Sequence, residues 1–270
     1  MKMAAIQMVS GPDVARNLER ARHWMAQARA QGAELVALPE YFCLMGMADT
    51  DKLALAEEDG EGPIQQAMAG AARELGLWVI AGTQPLRTDD PARVRNSCCV
   101  YAPDGSRVAR YDKIHLFRFD NGREHYDEGR VLDAGSAPVA AQVAGLRVGL
   151  SVCYDLRFPE LYRGLSFAPG QPPCDLISVP AAFTYPTGQA HWELLLRARA
   201  VENQAYLIAP AQGGRHENGR RTWGHTMIVD PWGEVLGQLP EGEGLVLAEL
   251  DTARLAQVRR QLPALQHRRL

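Results

Sequence analysis

No apolar run in these 270 residues is long enough to cross a bilayer, so no membrane partner is expected. No secretory leader is expected either. Residues 2–8 already alternate as a strand, which points to a cytoplasmic protein. Strong charge of either sign is lacking. The formal net charge of −3 offers no broad basic surface to nucleic acid or to an anionic membrane. There is no disulfide framework, because Cys43, Cys98, Cys99, Cys153 and Cys174 are odd in number and irregular in spacing. They read as reduced thiols. His115, His191, His216 and His225 have no tight grouping with cysteines or carboxylates, so no zinc site is expected. The glycines of residues 213–219 lack the Gly-Lys-Ser/Thr ending of a phosphate loop. They read as a mobile turn that can border a substrate entrance. Low-complexity stretches, short repeats and a dividing linker are all absent, which leaves one domain over residues 1–270.

What remains is an alternation of strands and helices. Hydrophobic residues make up 46% of the chain, ample for a packed core. Strands are expected over residues 2–8, 34–38, 77–83, 94–102, 107–112, 138–143, 146–152, 175–180, 205–211, 225–229, 234–238 and 244–250. Asp13 can cap a helix over 14–31 that stops at Gly32, and Pro63 opens another that runs to Gly76. Further helices are expected from about 158, over 190–204, and up to about 262. Pro103-Asp104-Gly105 and Pro231-Trp232-Gly233 mark two hairpins. A polar loop covers about 114–137, long enough to suspect a function. The pattern suits an α/β layered domain with two sheets face to face and helices outside. Cys98 and Cys99, adjacent in a strand, should point to opposite faces.

Cys153 is the most telling position. The apolar strand 146–152 runs straight into it, and a tight turn opening a helix follows. Backbone N–H groups and a positive helix end favour the thiolate, so the thiol is expected to titrate below the roughly 8.5 of a free cysteine. The plainer alternative is a small buried hydrophobe. Glu40 and Lys113 occupy comparable places, each just past a strand, where catalytic groups commonly sit. A solvated loop carboxylate and an exposed strand-end charge are their plainer alternatives.

Three segments then act together. They are Leu38-Pro39-Glu40-Tyr41-Phe42, the run from Tyr111 to Phe117 around Lys113, and the run from Cys153 to Glu160. These resemble, in the same order, the three signature motifs of the nitrilase superfamily of carbon–nitrogen hydrolases. The resemblance covers nearly the whole chain. It implies a four-layer αββα sandwich with two mixed sheets, a homodimer or larger homo-oligomer, and a small-molecule amide substrate. No metal or organic cofactor is implied. Under this resemblance Cys153 attacks the amide carbonyl to give a thioester. Glu40 takes the thiol proton, passes it to the departing nitrogen and then activates water. Lys113 and the backbone N–H of Tyr154 stabilise the oxyanion. Tyr126-Asp127-Glu128-Gly129 is similar to a fourth family motif, which assigns Glu128 the positioning of the substrate or of Lys113.

The second half of the chain bears on the substrate. The run 187–204 resembles a family branch that hydrolyses amides of 2-oxoglutarate. Residues 211–216 and 262–269 favour members whose leaving group is cysteinylglycine. The alternative is 2-oxoglutaramate, which releases ammonia. Arg157 lies one helical turn past the nucleophile, so it can offer a bidentate fork to the keto-acid carboxylate. The competing reading is a surface pair with Asp155 or Glu160. Phe183, Thr184 and Thr187 follow a strand and are expected to wall the pocket. Trp192, Leu195 and Leu196 read as helix packing. A non-catalytic binding protein has no need of four convergent polar groups. An acyltransferase, passing the thioester to an amine, stays open.

Overall fold

A computed structural model describes residues 1–122 and 124–269 of the chain. The first half runs β1 (Lys2–Gln7), α1 (Val14–Ala30), β2 (Leu35–Ala37), α2 (Asp51–Ala54), α3 (Pro63–Leu75), β3 (Trp78–Arg87), β4 (Val94–Tyr101) and β5 (Arg107–Asp112). A short hairpin of β6 (Arg118–Asp120) and β7 (His125–Asp127) follows. Then come β8 (Val139–Val143), β9 (Leu146–Leu150), α4 (Pro159–Ser166), β10 (Leu176–Ser178) and α5 (Tyr185–Asn203). The chain ends with β11 (Tyr206–Ala209), β12 (Thr226–Val229), β13 (Val235–Leu239), β14 (Gly244–Glu249) and α6 (Thr252–Gln261).

Two six-stranded sheets carry the architecture, in the orders β14-β1-β2-β3-β4-β5 and β13-β12-β11-β10-β9-β8. Both are mixed. β1, β2 and β3 pair in parallel, as do β9, β10 and β11, and their flanks pair antiparallel. The period-2 alternation of strands decides the layering. Met3 and Ala5 of β1 face the core between the sheets, while Ala4 and Ile6 join the core under α1 and α3. Cys98 and Cys99 of β4 divide in the same way, one to each core. Trp192, Leu196 and Ala200 of α5 pack on the far side of the second sheet with Leu161 and Leu165 of α4. The result is an αββα sandwich, as the motifs imply.

Local signals hold in detail. Asp13 caps α1 by accepting the Arg16 N–H at 3.1 Å, and Pro63 is the first residue of α3. Gly76 closes α3 in the left-handed conformation that glycine takes without steric cost. Elsewhere the structure differs from the pattern. α5 begins at Tyr185 and not near residue 190. Thr-Tyr-Pro-Thr-Gly over 184–188 looks like a turn, yet a proline in a first helical turn forfeits no hydrogen bond. β3 continues to Arg87 through an irregular register between Ala81 and Gln84. The polar loop after β5 contains β6, β7 and a 3₁₀ turn over Glu128–Arg130.

Candidate active site

The carboxyl ends of β2, β9 and β10 point the same way, and the loops beyond them converge with the loop after β5. Open parallel sheets typically place ligand sites at such ends. Glu40 lies three residues past β2 and is 1% exposed. The chain can turn there because Gly82 of β3 has no Cβ, which would collide with the Pro39 carbonyl. Glu40 Oε1 accepts from Asn96 Nδ2 and from Lys113 Nζ, both at 2.9 Å. Its Oε2 accepts the backbone N–H of Ala182 at 3.0 Å, a bond across to the second sheet.

Lys113, the residue after β5, has a wholly buried side chain. Nζ also donates to both oxygens of Glu128, at 2.9 and 2.7 Å. Burial pushes this ammonium down, but the charges of Glu128, Glu40 and Cys153 more than offset it and hold it above its ordinary value. Glu128 accepts further from the Tyr41 hydroxyl at 2.8 Å and the Phe117 N–H at 2.7 Å. Burial raises the Glu128 carboxyl, yet Lys113 and these hydrogen bonds prevail and leave it below the usual carboxylate range. One buried cation thus binds two buried carboxylates, the pairing that buried charges require.

Cys153 opens a 3₁₀ turn over Cys153–Arg157, and its φ of +51° is a conformation side-chain-bearing residues rarely take. Its N–H donates to the Pro180 carbonyl at 2.9 Å. Asp155 fastens the turn, accepting the Val152 N–H at 2.8 Å, the Tyr111 hydroxyl at 2.7 Å and the His115 N–H at 3.0 Å. Strain held in this way by its surroundings is common at catalytic positions. The expected acidic thiol is not what the structure gives. Burial pushes the Cys153 thiol well above its ordinary value, the charge of Glu40 adds to this, and Lys113 opposes it. The α-helix proper begins only at Pro159, so no long helix end offsets that burial, and the charges of Glu40 and Glu128 add to it. A neutral thiol beside a carboxylate suits attack with general-base assistance, not a standing thiolate.

Glu40, Glu128, Cys153, Tyr154, Arg157, Phe183, Thr184 and Thr187 all line one pocket. Lys113 stands behind the two carboxylates and is not on its wall. Tyr154 is the second residue of the 3₁₀ turn, where a backbone N–H has no acceptor within the turn. The Arg157 guanidinium lies 5.2 Å from the Phe183 ring centre and 5.8 Å from that of Tyr154, with Nη1 3.1 Å from His191 Nδ1. Among the described residues no carboxylate pairs with it. Asp155 is fully buried and committed elsewhere, so the surface-pair reading of Arg157 gives way to the pocket reading. Thr184 and Thr187 share a hydroxyl hydrogen bond of 2.7 Å at the start of α5. Trp192 and Leu196 are core, as their helical spacing suggests.

Several pocket residues escape the sequence reading. Tyr41, Phe117, Ala182 and Arg220 line the pocket, and Asn96 supports Glu40 from within β4. A signal existed for Asn96, a polar residue in an otherwise core-facing strand. Arg220 had only the glycine-rich loop around it as a pointer.

The carbon–nitrogen hydrolase family model matches residues 2–260. A Synechocystis protein named deaminated glutathione amidase is 43% identical over 98% of this chain and 97% of its own length. The Homo sapiens omega-amidase NIT2 is 35% identical over 99% of this chain and 95% of its own. The crystal structure of Saccharomyces cerevisiae Nit3, described as a member of branch 10 of the nitrilase superfamily, superposes with a TM-score of 0.88 at 28% identity. That match covers 100% of this chain and 97% of the yeast one.

Proposed function

The chain belongs to the carbon–nitrogen hydrolase family, and we propose that it is a thiol amidase acting on deaminated glutathione, releasing 2-oxoglutarate and cysteinylglycine. The observation that carries the chemistry is the buried Glu40–Lys113–Glu128 lock, whose two carboxylates line the same pocket as the Cys153 thiol. As sulfur attacks the carbonyl, Glu40 removes the thiol proton, and a tetrahedral oxyanion forms. The Tyr154 N–H and the nearby Lys113 charge stabilise that oxyanion, a contribution worth about 3–4 kcal/mol for one well-placed donor. Glu40 then hands its proton to the departing amine as the C–N bond breaks. In the second half it takes a proton from water, which attacks the thioester and frees the acid and the thiol. Glu128 fixes Lys113 and keeps it charged.

Arg157 supports an acyl half ending in a carboxylate, because it lies on the pocket wall with no carboxylate of its own. The substrate assignment leans on the likeness to deaminated glutathione amidases. 2-Oxoglutaramate shares the acyl half and is the competing substrate. A coupled assay for 2-oxoglutarate, with both substrates at matched concentrations, decides between them. A kcat/KM about tenfold higher for deaminated glutathione, or about 1.4 kcal/mol at the transition state, is expected. The reverse ratio overturns the assignment.

The core shared by the two sheets supports one domain over residues 1–270. Five unpaired cysteines fit a reducing, cytoplasmic setting. We expect a homodimer or larger homo-oligomer. Leu194 and Val201, seven residues apart on α5, and Trp232, whose neighbour Gly233 lies against Val201, are exposed apolar groups that support this expectation.

A further inference from the structure

Two cations line the pocket, and the acyl half of the substrate accounts for only one. The second, Arg220, comes from the loop between β11 and β12, far in sequence from the motifs that carry Glu40, Lys113, Glu128 and Cys153. That loop is anchored on several sides. His216 is buried, with Nδ1 2.8 Å from the Ser10 carbonyl oxygen and Nε2 2.8 Å from the Thr222 hydroxyl. Asn218 donates to the Gly46 carbonyl at 2.7 Å, and its side-chain oxygen accepts the Arg220 N–H at 3.0 Å. Arg220 is therefore presented on a fixed turn, with its guanidinium 4.8 Å from the centre of the Tyr126 ring.

Among the described residues no carboxylate forms an ion pair with Arg220, and its Nε is buried with no hydrogen-bond partner. The neighbouring acids are already engaged. Glu128 is held by Lys113, Asp127 caps the Gly129 N–H at 3.1 Å, and Asp49 lies 3.6 Å from Lys52. Arg220 also belongs to a second cavity that shares Tyr41, Phe117 and Glu128 with the first and adds Lys52, Tyr126 and the engaged acids Asp49 and Asp127. That cavity includes neither Cys153 nor Glu40, so it extends to one side of the reacting groups.

Deaminated glutathione carries a carboxylate at each end, with the scissile amide between them. 2-Oxoglutaramate carries one, and its leaving group is ammonia. An arginine fork left open beside the nucleophile's pocket, in addition to Arg157, matches the first molecule and is redundant for the second. We infer that Arg220 binds the terminal carboxylate of the leaving peptide and so selects amides whose amine half is anionic. This rests on the substrate reading above.

The test compares the full-length wild type with Arg220→Gln and Arg220→Lys on three amides: deaminated glutathione, its C-terminal glycinamide, and 2-oxoglutaramate. In the wild type, capping the carboxylate as the amide lowers kcat/KM at least tenfold. In Arg220→Gln the same capping changes it less than threefold, and the ratio of deaminated glutathione to 2-oxoglutaramate activity falls at least tenfold. Arg220→Lys lies between. Ratios within one preparation do not depend on the fraction folded, so a poorly folding variant still reports. If capping costs the wild type nothing, if the penalty survives in Arg220→Gln, or if that variant slows all three amides equally, the inference is overturned while the substrate reading stands. A wild type that turns over 2-oxoglutaramate but not deaminated glutathione overturns both.

Discussion

The two sheets contribute unlike halves to one pocket. Loops of the first bring Glu40, Lys113 and Glu128, and every carboxylate oxygen there has at least one donor. Loops of the second bring Cys153, Arg157 and Arg220, a thiol and two guanidiniums with no carboxylate partner among the described residues. The first half is fully satisfied, with the Ala182 N–H of the second sheet supplying the donor to Glu40 Oε2, as buried charge demands. The second is left open toward the pocket. Catalytic groups gain by being fixed before substrate arrives, whereas recognition groups must keep hydrogen-bonding capacity free.

The sharpest way to break this division is to cut the bond that joins the halves in chemistry. Glu40→Gln should lower kcat by about a hundred- to ten-thousandfold, as expected for loss of a general base. The same change should make the thiol more reactive to iodoacetamide near pH 7.5, because Glu40 is among the causes that hold the Cys153 thiol high. Turnover and alkylation then move in opposite directions. Alkylation no faster than in the wild type would mean that Glu40 does not control the sulfur.

Lys113→Met attacks the interior of the satisfied half. It leaves two buried carboxylates facing each other without their cation, a loss of about 3–5 kcal/mol. Here the pH dependence carries the sign. In the wild type the Glu128 carboxyl is depressed, so its contribution to stability is present above the unfolded carboxylate value of about 4.3 and is lost as pH falls through its lower folded value. In the variant burial is no longer offset, the carboxyl is raised, and stability should grow as pH drops from 7 toward 5. Thermal melts at pH 7 and pH 5 compare the two, and a variant that melts lower at pH 5 contradicts the lock. Alkylation of Cys153 should slow, since Lys113 pulls the thiol down.

In the open half, Arg157→Gln removes a charged fork and leaves the chemical groups in place. A hydrogen bond to a charged group is worth about 1.5–3 kcal/mol, so kcat/KM should fall about ten- to a hundredfold. The loss should sit mainly in KM, and deaminated glutathione and 2-oxoglutaramate should suffer alike, because they share the keto-acid end. A loss confined to one of them would move Arg157 away from the acyl half.

The same division explains what the sequence discloses. Glu40, Lys113 and Cys153 stand at strand ends within ordered motifs, and period-2 patterning places the two sheets around a common core. Tyr41 and Asn96 act through hydrogen bonds that only the folded loops create, although Asn96 stands out as a buried polar residue in β4. Arg220 depends on a loop fixed by His216 and Asn218, whose partners Ser10 and Gly46 lie some two hundred positions away. The local context of Cys153 points to an acidic thiol because it shows the turn but neither the burial nor the carboxylates that the other sheet brings across.

The smallest effect tests the finest joint of the satisfied half. The Tyr41 hydroxyl donates to Glu128, and its own backbone, at φ +58°, is held by the Thr83 hydroxyl, which accepts the Tyr41 N–H at 2.9 Å. Tyr41→Phe removes one neutral donor from a carboxylate that keeps Lys113 and the Phe117 N–H. Glu128 retains its charge, so the cost should be about 0.7–1.4 kcal/mol. Activity on deaminated glutathione and 2-oxoglutaramate should then fall together by about three- to tenfold. The alkylation rate of Cys153 should hardly change, because Tyr41 is not among the leading causes acting on the thiol, and Glu128, to which it donates, ranks behind burial, Glu40 and Lys113. A drop as large as that of Lys113→Met would mean that Tyr41 acts on the reacting groups directly, and the line between the fixed half and the open half would have to be redrawn through it.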